Sequence, residues 1–429
     1  MPRPPQRAFQ TLRRHPAVLA LLDVCEGIEC HLVGGVLRDR ALGLPIHDID
    51  AVVAGRGRQI AERLAAALPA RLVALGGKEF AAFRLVGEDL VLDLWDRESM
   101  SLYDDLARRD FTVNAFALDP RTGEVIDPFN GIGDLERRAL RATTPASFTG
   151  DPLRVLRLPR LLLRLPGFTA DPDTLELARR SAPRLVDVAA ERVRDELSWI
   201  FEHPEAHRGL ALLIGLDLYP GLWLGRPGEP GPIGTALGEL GALPGCIQEL
   251  HPLDPDLTVP AINTREARLA ALFANLSHPA DALLAFRDAG YLTRQTATDV
   301  AVLLAWEALP EDDLGRRRFL HRSGPLWPTA ACRLGARAAA QGEIARWRRA
   351  LAPLVDLARR EGAMILDPPP LLTGVDLQEM LGIAPGKEVG RLLAAVREAQ
   401  VEGRVGTREE AEGLVKRLVR EQAGRSAPM

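Results

Sequence analysis

His31-Leu-Val-Gly-Gly-Val-Leu-Arg-Asp39, followed closely by His47-Asp-Ile-Asp50, is the stretch that decides how this chain folds. Leu32 and Val33 read as the end of a strand, Gly34 and Gly35 as a tight turn, and Val36 as the opening of a helix. Such a turn lets backbone N–H groups approach a triphosphate, and the helix aims its positive end at the same point. Arg38 adds a charged donor for phosphate oxygens. Ile49 separates Asp48 from Asp50, so strand alternation puts both carboxylates on one face. Two carboxylates beside a bound triphosphate are the oxygen ligands with which Mg²⁺ bridges phosphate and nucleophile. The arrangement suits nucleotidyl transfer.

Gly-Gly turns and Asp-x-Asp pairs are each common; their combination in strand–turn–helix–strand order is specific. Together they resemble the head domain of the class II tRNA nucleotidyltransferase and bacterial poly(A) polymerase family. The resemblance implies an α/β, polymerase-β-like nucleotidyltransferase head followed by an all-α neck, body and tail. It also implies that Gly34, Gly35 and Arg38 hold the incoming nucleotide, and that Asp48 and Asp50 are catalytic and bind the metal.

The rest of the composition bounds the reading. At 429 residues and 47% hydrophobic, the chain has room for two to four globular domains. It has no apolar run long enough to span a bilayer and no signal-peptide pattern at Met1-Pro-Arg-Pro-Pro-Gln-Arg7. Cys25, Cys30, Cys246 and Cys332 form neither a disulfide framework nor a zinc pattern, so a cytoplasmic location is expected. Lysine is nearly absent beside abundant arginine, and the net charge of −4 shows no global field for nucleic acid. RNA contacts therefore have to come from local basic patches.

Beyond Asp50, Gln59–Leu68 reads as a helix, and 81–86 and 90–95 read as strands joined by a hairpin at Gly87-Glu-Asp89. Asp93, in the second strand, is either a third metal ligand or a carboxylate solvated at a sheet edge. Arg108-Arg-Asp-Phe-Thr-Val-Asn-Ala115 resembles the family's second signature, which implies that Arg109 and Asp110 contact sugar and phosphate. Asn114 lies one helical turn from Asp110 if the segment is helical, and would brace the site. Val125–Leu135 reads as scaffold closing the head.

Gly150-Asp-Pro-Leu-Arg-Val-Leu-Arg-Leu-Pro-Arg160 opens another helix, with Asp151 suited to the N-cap and Pro152 to the first position. Arg154, Arg157 and Arg160 recur every third residue as a basic ridge. The segment resembles the family's Glu-Asp-x-x-Arg motif, which implies that Asp151 and Arg154 read the base edge, with Arg157 and Arg160 beside the nucleotide. Asp151 can accept from the exocyclic amine of C or A; G and U would leave a buried group unpaired. Gly150 replaces the family's usual Glu, and Pro159 is expected to kink the helix near Val155.

In the family, a flexible loop before the Arg-Arg-Asp segment helps switch specificity from C to A, and its shortening goes with enzymes that add only CC. Here about Asp96–Met100 is free loop, so the expectation is a CC-adding enzyme. Beyond Ser181 the chain reads as helical. Glu191–Leu197 resembles a family segment that supports the neck helices, with i,i+3 and i,i+4 ion pairs on a solvated face as the alternative, and Gly225–Pro232 and Asp367–Pro370 look like joints. Ala274 and Asn275 stand where some relatives carry the His-Asp pair of a phosphohydrolase, so no such metal site is expected. The segments around Leu371, Gly386 and Thr407 resemble the family's tail, where helix ends and basic residues would meet tRNA phosphates.

The expected organisation is a head over 1–140, a neck over 141–210, a body over 211–366 and a tail over 367–429. The expected reaction is Mg²⁺-dependent extension of the tRNA 3′ end from CTP, with ATP left open as a second nucleotide and no membrane partner. Full CCA addition, A addition, a poly(A) polymerase, and a catalytically silent RNA-binding protein on the same fold are the alternatives.

Overall fold

The computed structural model describes residues 4–75, 82–88, 91–216, 233–250, 253, 262–276 and 278–425. They form two compact units, one of residues 1–196 and 212–218, the other of 197–211 and 219–429.

The first unit is built on a mixed seven-stranded sheet. Two helices, α1 (Pro4–Arg13) and α2 (Pro16–Val24), precede β1 (Cys30–Val33). The Gly-Gly turn then leads into α3 (Gly35–Leu42), and the chain returns antiparallel to β1 as β2 (Ile49–Val53). From there α4 (Gly57–Ala67), β3 (Arg71–Leu75) and β4 (Ala82–Val86) carry the chain to β5 (Val91–Asp96). β5 lies parallel to β2 and antiparallel to β4. Leu32, Val33, Ala51, Val52, Leu92 and Leu94 are fully buried in this sheet. The alternation read at Asp48–Asp50 and the antiparallel pairing of the two strands flanking Gly87 are therefore present, although Asp48 stands just ahead of β2 rather than inside it, and Asp89 of the expected hairpin lies outside the described residues.

Short elements close the unit: α5 (Leu102–Ala107), a 3₁₀ turn at Thr112–Asn114, β6 (Ala117–Leu118), β7 (Val125–Ile126) and α6 (Gly131–Arg137). A small parallel pair, β8 (Ala139–Leu140) with β9 (Thr169–Ala170), brackets α7 (Ser147–Gly150) and α8 (Arg154–Arg164). Then come α9 (Pro172–Ser181) and α10 (Ala190–Glu202).

Three local expectations change, and Pro159 stands inside its helix. Asp93 is not at a sheet edge, because β5 is flanked by β4 and β2. Asn114 reaches Asp110 from a 3₁₀ turn, not along an α-helix. Asp151 and Pro152 precede α8, whose N-cap is Leu153; Asp151 has extended backbone and accepts from Leu153 N–H at 3.3 Å. Pro159 lies within α8, which continues through it to Arg164, so the ladder bond it removes is the one Val155 C=O would accept.

The described residues of the second unit are helical. Helix Ile233–Leu250 packs along Trp327–Ala340, and Thr264–Ala274 packs on Arg294–Leu304. Three C-terminal helices, Gly374–Leu381, Lys387–Val401 and Arg408–Arg425, share their own core of Leu377, Leu392, Val396, Ala411 and Val415. Asp367–Pro370 falls in the connection before them, as read; Gly225–Pro232 lies outside the described residues. Asn275 donates to Ala271 C=O at 2.7 Å and Glu239 Oε1 at 3.3 Å.

Candidate active site

Gly34 ends β1 in a conformation (φ 78°, ψ −150°) that only glycine adopts without strain. A Cβ there would stand 2.6 Å from Asp50 Oδ2 and 3.1 Å from an Arg109 guanidinium nitrogen. The missing side chain at Gly34 is thus the space that the carboxylate and the arginine occupy. At Gly35 a Cβ would meet the Arg38 guanidinium at 3.2 Å.

Sheet register brings the acids together. Asp50 on β2 pairs with Asp93 on β5, and Asp93 pairs with Arg84 on β4, so the three side chains form a row on one face. Ligand atoms of Asp48, Asp50 and Asp93 all lie within 4.8 Å of one another. Burial, and then the negative charge of Asp48, push the Asp50 carboxyl up to about 6, while Arg109 pulls in the opposite direction. Arg84 holds Asp93 through two hydrogen bonds of 2.7 and 2.6 Å, a fork that fixes the carboxylate plane. Crowded carboxylates, with Asp50 raised by burial and by its neighbour, are the donor set a hard divalent cation relieves.

Behind the turn runs a buried chain of alternating charge. Arg38 donates to Asp39 at 2.8 Å and to Asn114 Oδ1 at 2.6 Å. Arg164, at the end of α8, donates to the other Asp39 oxygen at 2.7 Å. Asn114 in turn donates to Asp110 at 2.9 Å, and Arg157 pairs with Asp110 at 3.1 Å. Burial alone would raise the Asp110 pKa, but Arg157, Asn114 and the Phe111 N–H together hold it below the usual carboxylate range. Arg38 therefore lies against the turn with its guanidinium engaged by protein, and Arg157 is joined to the Arg-Arg-Asp segment.

Arg109 donates to Asp105 at 3.0 and 3.3 Å while its other nitrogen covers Gly34. Arg154 donates to Ser147 C=O at 2.8 Å, to Arg109 C=O at 3.4 Å and to Arg108 C=O, tying α8 to the segment that carries Asp110. Asp151 accepts from Arg192 at 2.8 Å. Arg160 pairs with Glu196 at 3.0 Å, away from the acid row. Of the two readings of Glu191–Leu197, these contacts favour support of the neighbouring helix over a merely solvated face, since Arg192 and Glu196 reach the α8 region. Asp151, Arg154 and Arg192 line a cleft of about 820 Å³, together with Trp95, Arg108 and Ser147.

The structure thus gathers Gly34, Asp48, Asp50 and Arg109 with Asp93, places Gly35, Arg38, Asp110 and Arg157 directly behind them, and puts Asp151 and Arg154 in the cleft. The sequence reading missed Arg84, Asp39, Arg164, Arg192 and Glu196. Only Arg84 had a visible signal, since antiparallel pairing of the two strands read around Gly87 sets it opposite Asp93.

Residues 30–141 match the model of the poly(A) polymerase head domain, and 167–223 match that of the probable RNA- and SrmB-binding site of polymerase A. An A-adding tRNA nucleotidyltransferase of Deinococcus radiodurans is 35% identical over 76% of this chain and 81% of its own length. A CC-adding tRNA nucleotidyltransferase of Geobacter sulfurreducens is 30% identical over 92% of this chain and 94% of its own. The crystal structure of the Bacillus stearothermophilus CCA-adding enzyme in complex with CTP superposes with a TM-score of 0.63 at 25% identity, covering 96% of this chain and 99% of that one.

Proposed function

The chain belongs to the tRNA nucleotidyltransferase family, built on the poly(A) polymerase head, and from that premise we propose that it adds two cytidines from CTP to the 3′ end of tRNA without a template. The observation that carries the chemistry is the row of Asp48, Asp50 and Asp93 beside the Gly34 turn. Asp48 and Asp50 would hold Mg²⁺, with Asp93, oriented by Arg84, as third ligand. Mg²⁺ bound there would supply activation of the tRNA 3′-hydroxyl and neutralisation of the charge on the leaving pyrophosphate.

The chain's own groups would do the rest. The backbone of Gly34 and Gly35 and the N-terminus of α3 would receive the triphosphate, with Arg38 bracing the turn from behind. Arg109, projecting over Gly34, would contact the sugar and phosphate, and Asp110 would fix that segment through Asn114 and Arg157. Asp151 would accept from the exocyclic amine of the base, because each carboxylate oxygen has two lone pairs and Arg192 takes one. Arg154 would present the second N–H of its Nη2 to the ring. Arg160 would hold α8 against α10 through Glu196. The domain plan that goes with this reading is a head over 1–140, a neck over 141–210, a body over 211–366 and a tail over 367–429, the tail meeting tRNA.

Restriction to CC rests on the segment between β5 and α5. Only residues 97–101 separate the two elements. Asp96 accepts from Gly55 and Gly57 N–H at 2.8 and 2.7 Å; Arg97 N–H donates to Val53 C=O at 3.0 Å, and Arg97 pairs with Glu29 at 2.5 Å. Five residues pinned at one end leave little reach for a lever that would retune the cleft from C to A. Addition of the terminal A alone is the second reading, favoured by the identity to the A-adding relative.

The test of the chemistry is extension of a tRNA ending at the discriminator base, with CTP and Mg²⁺, followed by pyrophosphate release. Asp48→Asn and Asp50→Asn should abolish both. Undiminished extension by either variant would remove the metal assignment.

A further inference from the structure

Trp95 is a large aromatic side chain that the sheet covers only in part. It sits on β5 between Leu94, which is fully buried, and Asp96, yet is 42% exposed. Strand alternation puts it on the same face as Asp93, one step along the strand from the acid row. Its neighbours across the sheet on that face are small or aliphatic, Val52 on β2 and Ala82 on β4. Among the described residues it makes no ring–ring contact. It opens instead into the cleft lined by Asp151, Arg154 and Arg192.

A partly exposed indole lining a cleft offers a broad apolar π-face that a flat ligand can cover. The cleft supplies edge-directed polar groups from one wall, and Trp95 is the aromatic surface among its lining residues. A nucleobase offers the two matching features, a hydrogen-bonding edge and a π-face. We propose that Trp95 is a stacking platform for the base of the incoming nucleotide, whose edge is read by Asp151 and Arg154. This rests on the reading of the cleft as the base site. Stacking tolerates every base, because every base has a π-face. Trp95 therefore supplies affinity, and discrimination stays with the edge contacts.

The experiment is a titration of the enzyme with CTP in the absence of tRNA, followed by tryptophan fluorescence, with steady-state extension kinetics alongside. The wild type should show saturable quenching that disappears in Trp95→Phe, which removes this indole and leaves the other five tryptophans. Trp95→Ala should raise the KM for CTP roughly ten- to a hundredfold, with a smaller change in kcat and an unchanged preference for CTP over UTP. Trp95→Phe should restore most of the KM. Quenching that persists in Trp95→Phe, or a CTP KM in Trp95→Ala equal to wild type, overturns the proposal. Quenching by tRNA but not by CTP overturns it too, since the platform would then serve the primer end. Asp151→Ala separates the two layers. If it relaxes CTP-over-UTP preference while Trp95→Ala has no effect, the base site stands and the platform falls; if Asp151→Ala leaves the preference intact, the base site itself is wrong.

Discussion

Gly34→Ala tests how closely the turn and the acid row depend on each other. The backbone at Gly34 (φ 78°, ψ −150°) lies in a region essentially closed to residues with a Cβ, and forcing alanine into it costs about 1–3 kcal/mol. The added methyl would also stand 2.6 Å from Asp50 Oδ2, closer than non-bonded carbon and oxygen approach. Asp50 cannot give way toward Asp48 or Asp93 without raising their repulsion, so it has to turn out of the row. Displacing a catalytic group by about 1 Å costs on the order of a hundredfold in rate. Gly34→Ala should therefore lose at least about a hundredfold in kcat along with its loss of stability. Gly43→Ala is the control: its φ is 71°, but nothing lies within 4 Å of its Cβ position. It should lose about 1–2 kcal/mol of stability from the left-handed backbone and keep its turnover. Thermal unfolding and single-turnover extension on both variants decide the matter. Near-normal turnover in Gly34→Ala, or equal losses in the two variants, would refute the coupling of turn to carboxylate.

Three further outcomes follow from the site. Asp50, raised to about 6, is mostly protonated below that pH, where a cation has to displace the proton and so binds more weakly. Its native pKa lies above the unfolded value, so in metal-free protein this group's contribution to stability falls as pH rises from about 4 to 6. Added Mg²⁺ should accordingly stabilise more at pH 7.5 than at pH 5, which denaturation with and without the ion would read; equal stabilisation at both would contradict it. Arg84→Ala frees the Asp93 carboxylate from its fork and should weaken cation affinity, measured calorimetrically, with little change in tRNA binding. Asn114→Ala removes a partner from both Arg38 and Asp110 and should destabilise by about 1–3 kcal/mol, seen as a lower denaturation midpoint.

What the sequence made legible is what local periodicity encodes. The strand–turn–helix at 30–42, the Asp-x-Asp spacing and the hairpin before Asp93 follow from period-2 alternation and turn chemistry, and they carried the acid row with them. β3, Arg71–Leu75, went unread because it is half-exposed at the sheet end and shows no clean alternation. The helices α1 and α2 went unread as well. Asn114 illustrates a right contact inferred for a wrong reason: a 3₁₀ turn closes the same four-residue distance to Asp110 that a helix would. The hidden part is tertiary. Arg192 lies 41 residues from Asp151, and Arg164 lies 125 from Asp39, and no local pattern announces such a pairing. Ionic partners on different elements are chosen by the packing of those elements, which sequence spacing does not contain.

The central claim, extension by CC and no further, is tested most directly by two tRNAs, one ending at the discriminator base and one ending in CC. Each is given CTP alone, ATP alone or both, with Mg²⁺, and the products are sized to single nucleotides. A CC-adding enzyme gives the first tRNA two residues from CTP and never uses ATP. A single A added to the CC-ended tRNA would contradict this claim, and gain of CC by the bare tRNA in the same experiment would then mark a complete CCA-adding enzyme.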